Sequence, residues 1–272
     1  MKKQDIIQKL SNYLEATDES KILDLNGSMA DPNVSEDRFQ DIDFSVLTSN
    51  ILRTTTKIKE LIHSDATTLF TEAHQINPFN HSSIRALLES GIEIGFNIYD
   101  NLEIFLNEIN RFVVLQFNKS NESIDFSPPT SRPFHVNKPE KEEFKKLLID
   151  IYWATADVMK GIKREQFIYT KHKYDTNLQP KIKLLLTWYI RDLHDWNICL
   201  GSHGKRIKEY TESDIYNQYL STYSANSLES ISETLIKAKY FVTYIGKRLI
   251  ASFGYKFPSD IDYTIFKLLT KD

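Results

Sequence analysis

The sequence predicts an α+β protein in which a mixed sheet with helices is followed by a C-terminal helical bundle. Short segments rich in β-branched and aromatic residues, such as GIEIGFNIY at 91–99, predict strands in the first half of the chain. From Glu140 onward, apolar residues recur three and four positions apart, which predicts helices. A stretch rich in proline, serine and asparagine at 118–139 separates the two patterns, so we expect domains at 1–135 and 136–272.

The individual segments follow this division in order. Ile6, Ile7 and Leu10 have helical spacing, which predicts a helix at the start of the chain. Further strands are predicted at KILDLNGS (21–28), DIDFSVL (41–47) and RFVVLQF (111–117), with a helix at LRTTTKIKELI (52–62). The longest helical patterns of the second half cover 142–162, 177–198 and 227–255.

Composition limits the kinds of partner. The 272 residues carry a formal net charge of -3 and are 41% hydrophobic, which is typical of a globular protein with a full core. This balance provides no basic field for a nucleic-acid polymer or an anionic membrane, so we expect neither as a partner. The single cysteine, Cys199, permits no internal disulfide and fits a reducing compartment. Polar residues interrupt the N-terminal segment, and no later stretch has membrane-spanning length, so we expect a cytoplasmic protein.

Two aspartates lie one residue apart in the strand DIDFSVL. Because alternate residues of a strand share a face, Ile42 and Phe44 are expected in the core, with Asp41 and Asp43 on the opposite face. Like charges this close repel unless a cation neutralises them, and carboxylate oxygens are ligands that Mg²⁺ prefers. Such pairs are also common as solvated or helix-capping residues, so the spacing alone leaves both interpretations open.

A third carboxylate lies on the strand GIEIGFNIY. Its apolar residues alternate, which leaves Glu93 on the face opposite to Ile94 and Phe96. If this strand neighbours DIDFSVL, Glu93 joins Asp41 and Asp43 in a carboxylate trio. Mg²⁺ usually completes its shell with water and substrate phosphates, often as a pair of ions in phosphoryl chemistry. The remaining ligands would then be nucleotide oxygens.

The turn after the strand KILDLNGS contains Gly27 and Ser28. A glycine lets the backbone approach a phosphate, and a following hydroxyl or N–H can donate to it. An apolar run, Gly-Ser, twelve residues, Asp-apolar-Asp and a later strand acid together resemble the DNA polymerase β-like nucleotidyltransferase superfamily. Within it, NGSMADPNVSEDRFQDIDF is similar to the bacterial aminoglycoside 6-adenylyltransferases, or streptomycin adenylyltransferases. The similarity continues through GIEIGFNIYDNLEIFL, KPEKEEFKKLLIDIYWATADVMKGIKREQFIYT, LLLTWYIRD, GSHGKRIKEYT and FGYKFP, so it covers nearly the whole chain.

This resemblance implies a polymerase β-like nucleotidyltransferase domain that binds ATP and Mg²⁺, and a helical domain that completes an aminoglycoside pocket. The reaction would move AMP to a hydroxyl of streptomycin and release pyrophosphate. Carried over residue by residue, Gly27 and Ser28 would hold the triphosphate, and Asp41 and Asp43 would coordinate magnesium. Glu93 would be the general base or a third ligand.

The sequence departs from the family pattern at several positions. The family usually has aspartate where Glu93 stands and arginine where Met29 follows Gly-Ser. An Asp-Lys-Asp motif after the third strand is replaced by LQFNKSN. Of the family's Gly-Lys-x-Gly-Lys stretch, Lys205 matches the second lysine and is expected to contact the nucleotide, while Ser202 stands at the first. These departures leave open another small-molecule or protein acceptor, or a nucleotide-binding protein without transferase activity.

Acidic and aromatic residues of the helical domain are the candidates for the acceptor pocket, because streptomycin carries guanidinium groups. They are Trp153, Asp157, Glu165, Trp188, Asp192 and Asp195. Each of these residues also fits a structural role in packing or surface pairing. Neither a glycine-rich dinucleotide motif nor a P-loop occurs in the sequence, so ATP would bind through the metal and the carboxylates. The sequence predicts no particular oligomeric state.

Overall fold

The chain forms two compact units, residues 1–133 and 134–272, in the computed structural model. The structure describes residues 3–32, 34–64, 68–77, 81–108, 112–120, 136–223, 226–255, 262–265 and 267. Most of the predicted linker at 118–139 lies outside these described residues, as does the KFP part of the FGYKFP segment.

The first unit contains a mixed sheet with helices, as predicted. Its helices are α1 (Lys3–Glu15), α2 (Ile51–His63) and α3 (Leu102–Glu108). Its strands are β1 (Ser20–Asn26), β2 (Ile42–Thr48), β3 (Thr68–Asn77), β4 (His81–Leu88), β5 (Glu93–Tyr99) and β6 (Val113–Asn118). The described strands form one sheet in the order β3-β4-β5-β2-β1-β6. Strands β2 and β5 pair in parallel, whereas the other neighbouring pairs are antiparallel.

One face of β2 and β5 forms the core of this unit. Ile42, Phe44 and Val46 are fully buried, which confirms that they face the core as predicted. Phe44 stacks on Phe96 of β5, with ring centroids 5.0 Å apart. Apolar residues of α1 and α2 belong to the same cluster, so these helices cover this face. The polar residues of β2 and β5 are therefore directed to the opposite face.

The sequence did not predict the hairpin of β3 and β4. The sequence of β4 lacks the alternation of apolar and polar residues that marks a half-buried strand. Two of its buried residues, Ser82 and Ser83, are polar and precede the apolar Ile84. Pairing with the neighbouring β5 fixes it as a strand: Arg85 lies opposite Gly95, and Ile84 opposite Phe96. This is a case in which tertiary contacts override local preference.

The second unit is helical, as predicted. Its helices are α4 (Lys141–Lys163), α5 (Phe167–Lys173), α6 (Gln179–Leu193), α7 (Ser213–Leu220) and α8 (Leu228–Phe253), with a π-helical turn at Tyr174–Leu178. A capping box of Glu140 and Glu143 begins α4. Gly254 ends α8 in the left-handed region, at φ 71°. Apolar stripes of these helices form a separate core around residues such as Leu148 and Ile182.

Among the helices that the structure describes, none combines the length and the apolar character needed to cross a membrane.

Candidate active site

The carboxylate of Asp43 lies between two glycines at one end of the sheet. Asp43 of β2 lies opposite Asn26 of β1 on one side and opposite Gly95 of β5 on the other. A Cβ built on Gly95 would lie 2.8 Å from Oδ1 of Asp43, and one built on Gly27 would lie 2.9 Å from Oδ2. Both distances are shorter than van der Waals contact, so the two glycines leave the space that this carboxylate occupies.

The predicted Gly-Ser segment forms a tight turn directly after β1. Gly27–Met29 is a single 3₁₀ turn, closed by the N–H of Ala30 donating to the carbonyl of Gly27. Gly27 has φ 73°, a left-handed conformation that favours glycine. Met29, where the family usually has arginine, packs on the core of the sheet unit instead. The turn therefore brings Gly27 and Ser28 next to Asp43 without a cation at the position of Met29.

Asp41 lies just before β2, beside the first residue of β5. Its Oδ1 accepts the backbone N–H of Glu93 at 3.0 Å. Because β2 and β5 are parallel, with Ile42 opposite Ile94, Asp41 and Glu93 lie at the same edge of the sheet. The structure thus brings Asp41, Asp43 and Glu93 to one edge.

The side chain of Glu93 is bound to an arginine in this arrangement. Arg85 of β4 donates from Nε and Nη2 to the two carboxylate oxygens of Glu93, at 2.6 and 2.7 Å. The pair is open to solvent, with the Arg85 side chain 61% exposed and that of Glu93 31%. Within the described ranges, no three His, Cys, Asp or Glu side chains converge as a metal-binding group. Asp41, Asp43 and Glu93 therefore lie near one another on one edge, and the Glu93 carboxylate is bound to Arg85.

The residues at this edge fit a magnesium ion through the two aspartates. Mg²⁺ usually takes one or two protein carboxylates and fills its other positions with water and substrate phosphates. Asp41 and Asp43 supply two carboxylates. The Asp43 carboxylate occupies the space that Gly27 and Gly95 leave open. The pair of Glu93 with Arg85 is bidentate but open to solvent, which screens the attraction between the two charges and leaves the Glu93 carboxylate accessible.

Asp24 is a buried carboxyl group that the sequence analysis missed. It lies opposite Ser45 on β2, on the same face as Asp43, and its side chain is fully buried. The amide nitrogen of Asn26 is 3.1 Å from Oδ1 of Asp24 and 2.9 Å from the hydroxyl of Ser45. Oδ2 has no hydrogen-bond partner among the described residues. Strand alternation puts Asp24 and Asn26 on one face of β1, and the structure shows that both are buried.

Burial raises the pKa of Asp24 from 3.8 to about 7, against the opposing effect of the hydrogen bond from Asn26. The native state then holds a proton that the unfolded chain has already lost, so stability should fall between about pH 4 and pH 7 and level off above it. The shift corresponds to a loss on the order of 4 kcal/mol.

The variant Asp24→Asn should remove this pH dependence, because asparagine has the same shape and no charge. Urea unfolding of both proteins from about pH 5 to about pH 8 measures it, with the exposed Asp18→Asn as the control. We expect Asp24→Asn to be more stable than the parent protein at pH 8, and Asp18→Asn to follow the parent. Equal slopes in the parent and Asp24→Asn would contradict the assignment.

The predicted acceptor residues are spread over several elements of the helical unit. Trp153 is 67% exposed on α4, and Asp157 on the same helix pairs with Lys160 at 3.3 Å. Glu165 and Asp195 lie in turns after α4 and α6, both with left-handed backbone. Trp188 is 6% exposed and packs against Phe144, so contact with an acceptor would require this packing to open.

The helical unit also contains Asp192, Lys205 and Cys199. Asp192 is partly exposed in the last turn of α6. Lys205 is exposed, and its aliphatic stem lies close to Gly201, whose built Cβ would be 3.1 Å from Cγ of Lys205. Cys199 is partly buried, and its sulfur accepts the N–H of Gly201 at 3.4 Å.

The mixed sheet, the Gly-Ser turn and the paired aspartates are typical of a nucleotidyltransferase. Residues 1–271 match the model of the streptomycin adenylyltransferase family, and the chain belongs to this family of nucleotidyltransferase enzymes. A relative named aminoglycoside 6-adenylyltransferase from Staphylococcus aureus is 22% identical, over 94% of this chain and 93% of its own. Another of that name, from Campylobacter jejuni, is 19% identical over 91% and 88%. The crystal structure of an aminoglycoside 6-adenyltransferase from Bacillus subtilis aligns over 99% of this chain and 97% of its own, with 16% identity and a TM-score of 0.49.

Proposed function

We propose that this protein transfers AMP from ATP to a hydroxyl group of an aminoglycoside, with streptomycin as the specific acceptor and Mg²⁺ as the metal. The main observation behind the proposal is the Asp43 carboxylate, enclosed by Gly27 and Gly95 and accompanied by Asp41, in a member of the adenylyltransferase family. The cytoplasm, where ATP is available, is the proposed location.

In the proposed reaction, the acceptor oxygen attacks the α-phosphorus of ATP while the bond to the bridging oxygen of pyrophosphate breaks. The Gly27–Met29 turn would hold the triphosphate through backbone N–H groups and the Ser28 hydroxyl. Asp41 and Asp43 would hold magnesium, which when bound neutralises charge that builds up on the phosphates. Lys205 would add a positive charge for the nucleotide. Positioning and electrostatics then supply most of the rate enhancement.

Glu93 is proposed as the group that removes the proton of the acceptor hydroxyl, with metal ligation as the alternative. Its carboxylate is partly exposed at the same edge as Asp41, so an acceptor can reach it once Arg85 moves aside. The exposed carboxylate and indole groups of the helical unit, such as Trp153 and Asp195, are suited to a cationic acceptor. The proposal keeps Asp157, Glu165, Trp188 and Asp192 as further acceptor residues.

The variant Glu93→Gln should lower the transfer rate about 100-fold, because general base catalysis typically contributes at least that factor. Glu93→Asp should retain more activity, since it keeps a carboxylate that is shorter by one methylene. Glu89→Gln, at an exposed position in the turn between β4 and β5, is the matched control and should be fully active. Transfer by Glu93→Gln at the parent rate would exclude a role for this carboxylate.

Mass spectrometry of the acceptor tests the proposed function directly. Purified protein is incubated with Mg²⁺, ATP and either streptomycin, another aminoglycoside or a small polyhydroxylated molecule without cationic groups. We expect an AMP adduct on streptomycin and none on the uncharged molecule. An adduct on a different acceptor only would show that streptomycin is not the acceptor, whereas no adduct on any acceptor would count against transferase activity.

A further inference from the structure

A cavity of about 310 Å³ lies in the helical unit, beside α6 and the loop at 200–204. Lys183, Thr187 and Arg191 of α6 line it, and their spacing of four residues places them along one side of the helix. No carboxylate is among the residues that the structure describes around this cavity. The volume is within the range of cavities that bind small molecules, and the ionic groups that line it are cationic.

Arg191 is buried at this cavity with incomplete hydrogen bonding. The residue is 2% exposed, and its Nη2 donates to the carbonyl of Trp196. The guanidinium carbon is also 5.7 Å from the centroid of the Trp196 ring. Nε and Nη1 have no acceptor in the described part of the chain. Buried donors are normally satisfied, and a charged donor is the costliest to leave without a partner.

Lys183 brings a second positive charge to the same cavity. It is partly buried two turns before Arg191, and its stem reaches the loop, where a Cβ built on Gly204 would be 3.8 Å from its Cδ. Burial lowers the pKa of Arg191, yet a guanidinium stays protonated at neutral pH. The cavity is therefore lined by a buried guanidinium and by a partly buried lysine side chain.

We propose that this cavity is a binding site for a phosphate-class oxyanion, held by Arg191 and Lys183. A phosphate has several acceptor oxygens in a tetrahedral arrangement, so it accepts from donors that point in different directions. It would fill the missing hydrogen bonds of Nε and Nη1 and neutralise the buried charge. A ligand of this class arrives either as a free anion or as the phosphate tail of a nucleotide, and the two share the same chemistry at the site.

Equilibrium dialysis with labelled inorganic phosphate tests the proposal on the full chain, without acceptor or magnesium. We expect saturable binding that sodium chloride at the same ionic strength does not abolish. Arg191→Met should weaken it at least about 10-fold, and Lys183→Met several-fold, which provides a readout even if the first variant folds poorly. Lys208→Met, an exposed lysine after the loop, should bind like the parent protein.

Two outcomes would overturn the site: no saturable phosphate binding by the parent protein, or unchanged binding in both Arg191→Met and Lys183→Met. Competition identifies the source of the anion. If the ligand is a nucleotide tail, ATP displaces labelled phosphate and Arg191→Met weakens ATP binding. If it is a free anion, ATP leaves the bound phosphate in place. Asp43→Asn should bind phosphate normally, so failure of the proposed transferase reaction and failure of this site are separable.

Discussion

Replacing Asp43 with asparagine is expected to lower nucleotidyl transfer at least about 100-fold while the chain remains folded. Asparagine fits the space between Gly27 and Gly95 but carries no negative charge, so it no longer binds a magnesium ion well. Removing one charge beside Asp41 also relieves like-charge repulsion, so thermal stability should be unchanged or slightly higher. Transfer rate and thermal unfolding, measured on the same preparation, check both parts.

Asp100→Asn is the matched control for this variant. Asp100 follows β5 at the end away from Glu93, and its side chain is exposed. It should retain the parent rate, which would show that removing a carboxylate elsewhere in the sheet unit has no effect. Full activity of Asp43→Asn would refute the metal-site argument, and loss of activity together with unfolding would mean that the aspartate has a structural role.

Adding a single methyl group at Gly95 is expected to cause a comparable loss of activity. The new Cβ would lie 2.8 Å from Oδ1 of Asp43, so the carboxylate must move. Displacements near 1 Å at a reacting centre cost about 100-fold in rate. Gly95 has no left-handed φ, so alanine introduces no backbone strain there. The rate of transfer by Gly95→Ala should therefore fall about 100-fold with only a modest change in stability.

Gly27→Ala and Gly91→Ala separate backbone strain from the clash with Asp43. Both glycines have positive φ, at 73° and 81°, so alanine costs roughly 1 kcal/mol in each. A Cβ on Gly91 meets nothing within 4 Å, whereas one on Gly27 meets the carboxylate. Activity should be lost in Gly27→Ala and kept in Gly91→Ala. Equal activity in the two variants would contradict the proposed role of the enclosed carboxylate.

Alternation along β2 and β5 was sufficient to predict which residues face the core and that Asp41, Asp43 and Glu93 share the other face. These three carboxylates meet at one edge only if β2 and β5 are neighbours, and the sequence does not specify the order of the strands. The parallel pairing of β2 with β5 settles that question. Local pattern therefore predicts the face of a residue, and strand order decides what it meets.

The sequence did not predict which residues contact the site residues. Arg85 binds Glu93 from β4, a strand without a clear alternating pattern that is fixed by pairing with β5. Asp24 is buried because the packing around β1 excludes solvent, a long-range effect that no local spacing reports. Trp188 fits an aromatic pocket residue and a core residue equally well by sequence, and its helix turns it into the core.

The most direct test of the account is the rate of pyrophosphate release by the purified protein with ATP and Mg²⁺, with and without streptomycin. We predict release that requires both streptomycin and the metal, stops when the metal is chelated, and is lost in Asp43→Asn. Release that is absent with every aminoglycoside, or that persists unchanged in Asp43→Asn, would contradict the proposal that this edge of the sheet catalyses adenylyl transfer.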